Sequence, residues 1–262
     1  MTTHVDAPEQ DRTVASGPAR RWGLGAGLLL AVALAALVAG LSLAVGSNQL
    51  PLGTVWRGLF APDESFEATV IASRVPRTVL GLLVGAALAV SGALMQGITR
   101  NPLADPGLLG VNTGASAAVV AGSVVFGTLG SRSIYFALPG AFAVAVLVYT
   151  IGSGRSGPTP VRLVLAGAAV GAVLSAAIQA VTLTNPEVFD SYRFWVVGSL
   201  AGRPASTVDM VWPIIVVGLV AGLLLGRPLN TLALGDETAQ ALGGNAGRTR
   251  LLGALVATLL AG

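Results

Sequence analysis

Cysteine and lysine are absent from this 262-residue sequence, and its single histidine is His4. Without cysteine, the residues present can form no disulfide, thiolate zinc site or iron–sulfur cluster. Without lysine, they contain no Gly-x-x-x-x-Gly-Lys phosphate loop. His4 lies in a polar N-terminal stretch, and we interpret it as an ordinary solvated residue. We therefore expect no catalytic residue, no metal site and no cofactor, and a membrane enzyme is the least favoured interpretation.

Charge is also scarce: charged residues make up 10% of the chain, hydrophobic residues 53%, and the mean hydropathy is +0.78. Soluble domains are roughly a quarter charged, whereas a bilayer core requires runs of about 20 apolar residues. Several such runs predict an all-α, polytopic membrane protein in contact with lipid. The net charge of +3 and the isoelectric point near 10.2 are typical of basic residues gathered in cytoplasmic loops. We expect no nucleic-acid partner.

The charge-free runs predict six complete spans and the beginning of a seventh. The six lie at about Trp22–Val45, Val79–Ile98, Gly107–Gly130, Ile134–Ile151, Leu163–Leu183 and Met210–Gly226. The seventh begins near Leu251 and reaches Gly262 in fewer than the roughly 20 residues that cross a bilayer. The polar residues before the first span, 1–21, are expected to form a disordered cytoplasmic tail. A membrane domain would follow over residues 22–262, truncated at its C-terminus or completed by a partner.

The distribution of arginine predicts the orientation. With a cytoplasmic N-terminus, nine arginines fall on the inner side and six on the outer side, which favours this orientation modestly. The spans hold no Asp, Glu, Lys or His, although proton-driven carriers usually need such a group inside the membrane. Energy for transport is therefore expected from outside these residues, or the flow is passive.

A few uncharged polar side chains do lie inside the spans: Ser91, Gln96, Asn112, Thr113, Ser175 and Gln179. Polar side chains in lipid commonly hydrogen-bond between helices. The alternative interpretation is that they line a path for a solute.

Three short segments stand out from the apolar background, and the first is Arg74-Val-Pro-Arg77, just before the second predicted span. Helical residues three apart share a face. The pair either snorkels to the membrane interface or forms a cationic patch that captures carboxylates of an outer partner.

The second segment is Arg100–Gly110, which contains two prolines and the polar residues Asn101 and Asp105. Proline interrupts a helix, so we expect the chain to turn at the inner membrane edge. The segment is either a plain turn or the rigid lip of a gate.

The third segment is Pro228–Gly244, in which Asp236 is expected to N-cap a short helix and Glu237 to suit its dipole. Ala239 shares a face with Leu242, and Gly243 or Gly244 would end the helix. So short a helix is marginal in water, so we expect it to dock on its own bundle or on a cytoplasmic partner.

In this order, these segments resemble the FecCD family of ABC-importer permeases. The resemblance also covers Gly85-Ala-Ala-Leu-Ala89, Leu165-Ala-Gly167, Gly198-Ser-Leu-Ala-Gly202 and Leu229-Asn-Thr-Leu-Ala-Leu-Gly-Asp-Glu237. It implies the fold of the vitamin B12 importer: ten helices per subunit, a second permease subunit and two cytoplasmic ATPases. An outer substrate-binding protein would deliver an iron–siderophore complex, haem or cobalamin.

The resemblance also implies roles for individual residues. Arg74 and Arg77 would meet the binding protein, and Asn101, Leu103 and Thr159 would form a cytoplasmic gate. The coupling helix to the ATPase would comprise Leu234, Gly235, Asp236, Glu237, Ala239, Leu242 and Gly243. Gln96 and Gln179 would line the pathway or join helices.

The sequence therefore predicts a permease that imports an iron(III)–siderophore complex across the bacterial cytoplasmic membrane, with ATP hydrolysis on a separate subunit. The alternatives are a secondary carrier of a small metabolite and a transport-inactive fragment.

Overall fold

The computed structural model describes residues 18–61, 63–153 and 159–262, and every regular element in these ranges is helical. The α-helices are α1 (Pro18–Ala44), α2 (Leu52–Phe60), α3 (Phe66–Thr99), α4 (Val111–Phe126), α5 (Ile134–Gly152), α6 (Pro160–Thr184), α7 (Pro186–Val196), α8 (Ala205–Ala233), α9 (Asp236–Ala241) and α10 (Ala246–Ala261). Short 3₁₀ turns occupy Pro106–Leu109 and Gly130–Ser133. The all-α prediction is confirmed. Residues 1–17 of the predicted tail lie outside the described residues.

Among the described residues, five helices are long and apolar enough to cross a membrane: α1, α3, α5, α6 and α8. The predicted third span, Gly107–Gly130, is wrong at both ends, because α4 covers only Val111–Phe126. Gly110 and Gly127 flank α4 with φ angles of 70° and 72°. Glycine adopts this left-handed region without the steric cost of a side chain, and so it commonly bounds helices.

Two helices, α2 and α7, lie outside the predicted spans because each carries charge. The apolar run of α2 is interrupted by Arg57, and that of α7 by Glu187, Asp190 and Arg193. In α2, the half facing the bundle is apolar, with Val55 buried. Both helices connect membrane-length helices, so they form the rim of the bundle at one end.

Helices α4 and α5 pack closely through glycine. A Cβ on Gly114 would lie 2.6 Å from the carbonyl oxygen of Gly140, and a Cβ on Gly140 would lie 2.6 Å from that of Gly114. Such small residues let helix backbones approach closely where lipid supplies no hydrophobic driving force. The contact helps to hold α4 and α5 as a pair beside the second group, α3, α8 and α10.

The last helix, α10, begins at Ala246, several residues before the predicted start at Leu251. The search for charge-free runs missed the beginning of α10 because it contains Arg248 and Arg250. Asn245 accepts a hydrogen bond from the backbone N–H of Arg248 at 2.9 Å, which is the usual role of an N-cap asparagine. Helix α10 contacts α3, α5 and α8, and its Arg250 pairs with Asp236, as does Arg100 at the end of α3.

Candidate functional site

The guanidinium of Arg74 caps the C-terminal end of α1. Its Nη1 donates to the carbonyl oxygens of Leu43 at 2.7 Å and Ala44 at 3.3 Å, and its Nη2 donates to that of Asn48 at 2.6 Å. The last carbonyls of a helix have no partner within the helix, and a cation there also suits the helix dipole. The side chain is 7% exposed. A Cβ on Gly46 would lie 2.6 Å from Nη2, so glycine makes room for the cap.

Arg77 is the more accessible member of the predicted docking pair. It is half-buried and donates from Nη2 to the carbonyl oxygen of Ser42 at 3.1 Å. Both arginines lie inside α3, which begins at Phe66, so this helix starts well before the predicted span that begins at about Val79. Ser65 starts α3 earlier, because its Oγ accepts from the N–H of Ala68. Arg74 therefore faces α1, and Arg77 is the one left partly open.

The segment after α3 begins with an exposed turn. Asn101 Oδ1 accepts from the N–H of Leu103 at 2.9 Å, an arrangement that fixes the turn locally. Leu103 is 86% exposed, unusual for so large an apolar side chain beside a folded bundle. Thr159, the third predicted gate residue, is exposed and immediately precedes α6. The structure thus joins Asn101 to Leu103 in one turn and places Thr159 on a separate element.

The second half of this segment enters the bundle, where the sequence predicted a turn at its edge. Asp105 Oδ1 accepts from the N–H of Gly107 at 2.7 Å, and Leu109 is 1% exposed. A Cβ on Gly167 would lie 1.9 Å from the carbonyl oxygen of Leu108. Only glycine at position 167 allows the 3₁₀ turn to lie against α6. The exposed lip is therefore continuous with a turn held rigidly inside the core.

The short helix α9 docks on its own bundle with one face and exposes the other. Ala239 is 2% exposed, whereas Leu234 and Leu242 are 65% and 64% exposed. Gly235 and Gly243 have φ angles of 115° and 79° at either end. The predicted helix and its glycine end are present, and both proposed contacts are possible at once. The exposed side chains of α9 itself are mostly polar, and Leu234 and Leu242 lie just outside its two ends.

The sequence predicted that Asp236 caps α9, and this prediction is wrong. Gly235 is the N-cap and Asp236 is the first helical residue. Its carboxylate accepts two hydrogen bonds from Arg250, Nη1 to Oδ2 and Nη2 to Oδ1, each 2.9 Å long. Arg100 Nη2 also pairs with Oδ1. The hydrogen bonds from Arg250, with the charges of both arginines, hold the pKa of Asp236 below its ordinary value.

Sequence reasoning missed this cluster because its members come from three segments. Arg100 ends α3 and Arg250 begins α10, far from Asp236 along the chain. The sequence signals only that charged residues are scarce in so apolar a chain, and it does not identify which of them form pairs.

The polar residues inside the spans divide into two groups. Ser91 is fully buried, and its Oγ donates to the carbonyl oxygen of Ala257 in α10 at 2.7 Å, so it joins two helices. Gln96, Asn112 and Gln179 are exposed on the surface of the chain. Lipid offers no hydrogen bonds to an exposed amide, so this group is expected to face protein or water. Within the described residues, no three His, Cys, Asp or Glu side chains group into a metal site.

An open cavity of about 460 Å³ lies among α3, α4, α8 and α10. Its polar lining includes Asn112, Trp195, Arg203 and Thr207, and the rest is apolar. A polar rim on an apolar wall can accept a large, mostly apolar solute with a few polar groups.

Comparison with known proteins gives a consistent result. The FecCD transport family matches residues 31–262. The chain is 45% identical over 240 residues to the ferric enterobactin transport system permease protein FepD of Escherichia coli, covering 90% of this chain and 71% of FepD. It is 41% identical over 224 residues to the Fe(3+)-citrate import system permease protein YfmD of Bacillus subtilis, covering 85% of this chain and 67% of YfmD.

A solved structure shares the fold. It is described as an inward-facing conformation of a metal-chelate type ABC transporter, with a TM-score of 0.67 and 26% sequence identity. The match covers 90% of this chain and 74% of that one. The chain thus spans about two thirds to three quarters of the length of these three proteins.

Proposed function

Because the chain belongs to the FecCD transport family, we propose that it is a permease subunit of an ATP-driven importer, with its N-terminus in the cytoplasm. It would pair with a second permease subunit, two cytoplasmic ATPase subunits and an outer substrate-binding protein. The bundle would open alternately to each side of the membrane, while the ATPases supply the energy.

The surface of α9 carries this proposal most directly. Leu234 and Leu242 are both more than half exposed and flank the six-residue helix α9, which lies in the turn between α8 and α10. Large apolar side chains exposed together mark contact sites for another protein. The buried Ala239 anchors the helix on its bundle, so a push on its outer face would be transmitted to α8 and α10.

The cargo proposed is an iron(III)–siderophore complex. The names of FepD and YfmD include ferric enterobactin and Fe(3+)-citrate. In both compounds a chelator already surrounds the metal. A path for such a complex needs no metal ligands of its own. Polar residues exposed from the spans, Gln96 and Gln179, and the exposed lip at Asn101 and Leu103 would line this path beside the second permease subunit.

Binding-protein docking is proposed near the N-terminal end of α3, where Arg74 and Arg77 lie. Arg77 would make the contact, since its side chain is the more exposed. Arg74 would act indirectly, by fixing α1 against α3. Carboxylates on the partner would form charge-assisted hydrogen bonds with the guanidinium.

The test is reconstitution of the full-length gene product in liposomes with its ATPase and binding protein. Uptake of radiolabelled ferric enterobactin and ferric citrate is measured with ATP, without ATP, and with the ATPase left out. We expect uptake of at least one chelate that requires both. Uptake that survives without the ATPase and collapses with an ion gradient would contradict the proposal and favour a secondary carrier.

The role of this surface is tested by Leu242→Asp, directly after α9, with Gln240→Ala within α9 as the control. Leu242 and Gln240 are both exposed, so neither change disturbs the core. We expect Leu242→Asp to weaken co-purification of the ATPase at least tenfold, equivalent to about 1.4 kcal/mol. Equal recovery of the ATPase with both variants would exclude this face as the contact.

A further inference from the structure

We infer that Arg100, Asp236 and Arg250 form a strut that transmits movement of α9 to the exposed turn at Asn101 and Leu103. The inference rests on the proposed function, in which α9 meets the ATPase. It assigns positioning roles to Arg100 and Arg250, since neither would touch the cargo.

The first support is geometric. Asp236 is the first residue of α9, and its carboxylate pairs with two arginines. Arg250 binds it with two parallel hydrogen bonds of 2.9 Å, the arrangement that gives an arginine–carboxylate pair its directional stiffness. Arg100 pairs with the same Oδ1. One carboxylate therefore ties α9 to the end of α3 and to the start of α10.

The second support is the backbone of Arg100. Its φ angle of 52° makes it the one non-glycine residue in the left-handed region among the described residues. The ends of helices usually place glycine there, because a side chain costs free energy in that conformation. An arginine at this position is explained if its side chain is needed, and strained residues of this kind concentrate at functional sites.

The third support is the position of Arg100 directly before the exposed turn. Asn101 follows it, and the backbone N–H of Asn101 bonds to the carbonyl oxygen of Gln96 in α3. The side chain of Asn101 in turn fixes Leu103. Displacement of Asp236 would thus move Arg100 and the turn together. Further along, Leu109 anchors the segment in the core, so the movement is confined to the exposed half.

Global stability does not account for the cluster. The side chains of Arg100 and Asp236 are 37% and 42% exposed, and exposed ion pairs contribute little to stability because water screens them. Arg250 is more enclosed, at 12% exposure, and so it forms the fixed end of the strut.

The discriminating variant is Arg100→Gly. Glycine suits the left-handed backbone better than arginine, so a purely structural role would be kept or improved. Loss of the strut should instead lower ATP-driven uptake about tenfold, within the range usual for coupling between sites. ATP hydrolysis should fall less, so that uptake per ATP drops. Arg100→Lys keeps the charge and should restore part of the uptake.

Arg250→Gln gives an independent second variant, because it breaks the double hydrogen bond without touching α3. Arg248→Ala is the control, an exposed arginine two residues away and on roughly the opposite side of α10, with no ion pair to Asp236 among the described residues. We expect Arg250→Gln to lower uptake per ATP and Arg248→Ala to leave it unchanged. Unchanged uptake per ATP in both Arg100→Gly and Arg250→Gln would overturn the inference.

A readout independent of cargo uses the absence of cysteine in the sequence. Leu103→Cys introduces one thiol into these 262 residues, and the rate of maleimide labelling of the peptide that contains it is measured by mass spectrometry in the assembled complex, with and without ATP plus vanadate. We expect the nucleotide to change the rate in this background and to have no effect once Arg100→Gly is added. The same change in both would overturn the strut. No nucleotide effect in the Leu103→Cys complex itself would instead count against the proposed function.

Discussion

Arg74 should stabilise the fold far more than Arg77, although both are arginines on the same face of α3. Arg74 donates three hydrogen bonds to carbonyl oxygens at the end of α1, and bonds from charged groups contribute about 1.5–3 kcal/mol each. Water can hydrogen-bond to some of these carbonyl oxygens once the guanidinium is removed. We therefore expect Arg74→Ala to lower the unfolding free energy by about 3 kcal/mol. Arg77 has one bond of 3.1 Å and is half-buried, for which about 1 kcal/mol is expected.

Gly46 turns this estimate into a double-mutant cycle. A Cβ at position 46 would lie 2.6 Å from Arg74 Nη2 and 2.9 Å from its Cζ. Gly46→Ala must therefore push the guanidinium off its carbonyls, at a cost similar to part of the Arg74→Ala effect. In the Arg74→Ala background the obstruction is gone. The two changes should be less than additive by about 1–2 kcal/mol, as expected for residues in contact.

The assay is the unfolding free energy of the purified protein in mixed micelles, followed by circular dichroism as denaturing detergent is added. Arg74→Lys is the conservative control, and it should recover only part of the loss, because an ammonium cannot reproduce the planar fork. The reasoning would be refuted by equal losses for Arg74→Ala and Arg77→Ala, or by strict additivity of Gly46→Ala with Arg74→Ala.

Three further predictions follow from the same geometry. Gly167→Ala should cost at least about 2 kcal/mol, because the new Cβ would overlap the backbone of the buried 3₁₀ turn; Gly171→Ala, with its nearest neighbour at 3.6 Å, should be neutral in the same unfolding assay. Arg77→Glu should weaken binding-protein docking in a pull-down at least tenfold, while Arg132→Glu, an equal charge change at an exposed arginine on a different element, should not. The depressed pKa of Asp236 means that its contribution to stability is complete above the ordinary carboxyl pKa near 4 and is lost as the pH falls through the lower folded value. Unfolding midpoints of the wild type and Asp236→Asn should therefore converge only in that acidic window, and a difference that changes between pH 5 and pH 8 would contradict the assignment.

The long helices could be predicted because their signal is local. A bilayer imposes about 20 apolar residues on each span, and α1, α5, α6 and α8 follow that rule closely. The short helices α2 and α7 could not be found in this way, because they carry charge. The start of α3 was missed for the same reason: Glu67, Arg74 and Arg77 lie inside its first turns.

The exposed turn shows a partial success. The prolines of the Arg100–Gly110 segment correctly indicated a break in the helix, and Asn101 and Leu103 lie at its exposed tip. The burial of Leu109 could not be inferred, because it depends on Gly167 of α6. Gly167 belongs to the family-like Leu165-Ala-Gly167 segment, but no local pattern identifies the turn that it contacts.

The sequence by itself determined the class of protein: an all-helical membrane domain of the FecCD family, since lipid forces each spanning segment to satisfy its own backbone hydrogen bonds. Composition and local order are sufficient for that conclusion. Only the tertiary structure decided what the few charges do. It directs Arg74 to the carbonyls that end α1, and it joins Asp236 to Arg100 and Arg250. Partners so far apart in the chain are selected by how the helices pack, and that packing depends on close approaches such as Gly114 with Gly140, which no single segment encodes.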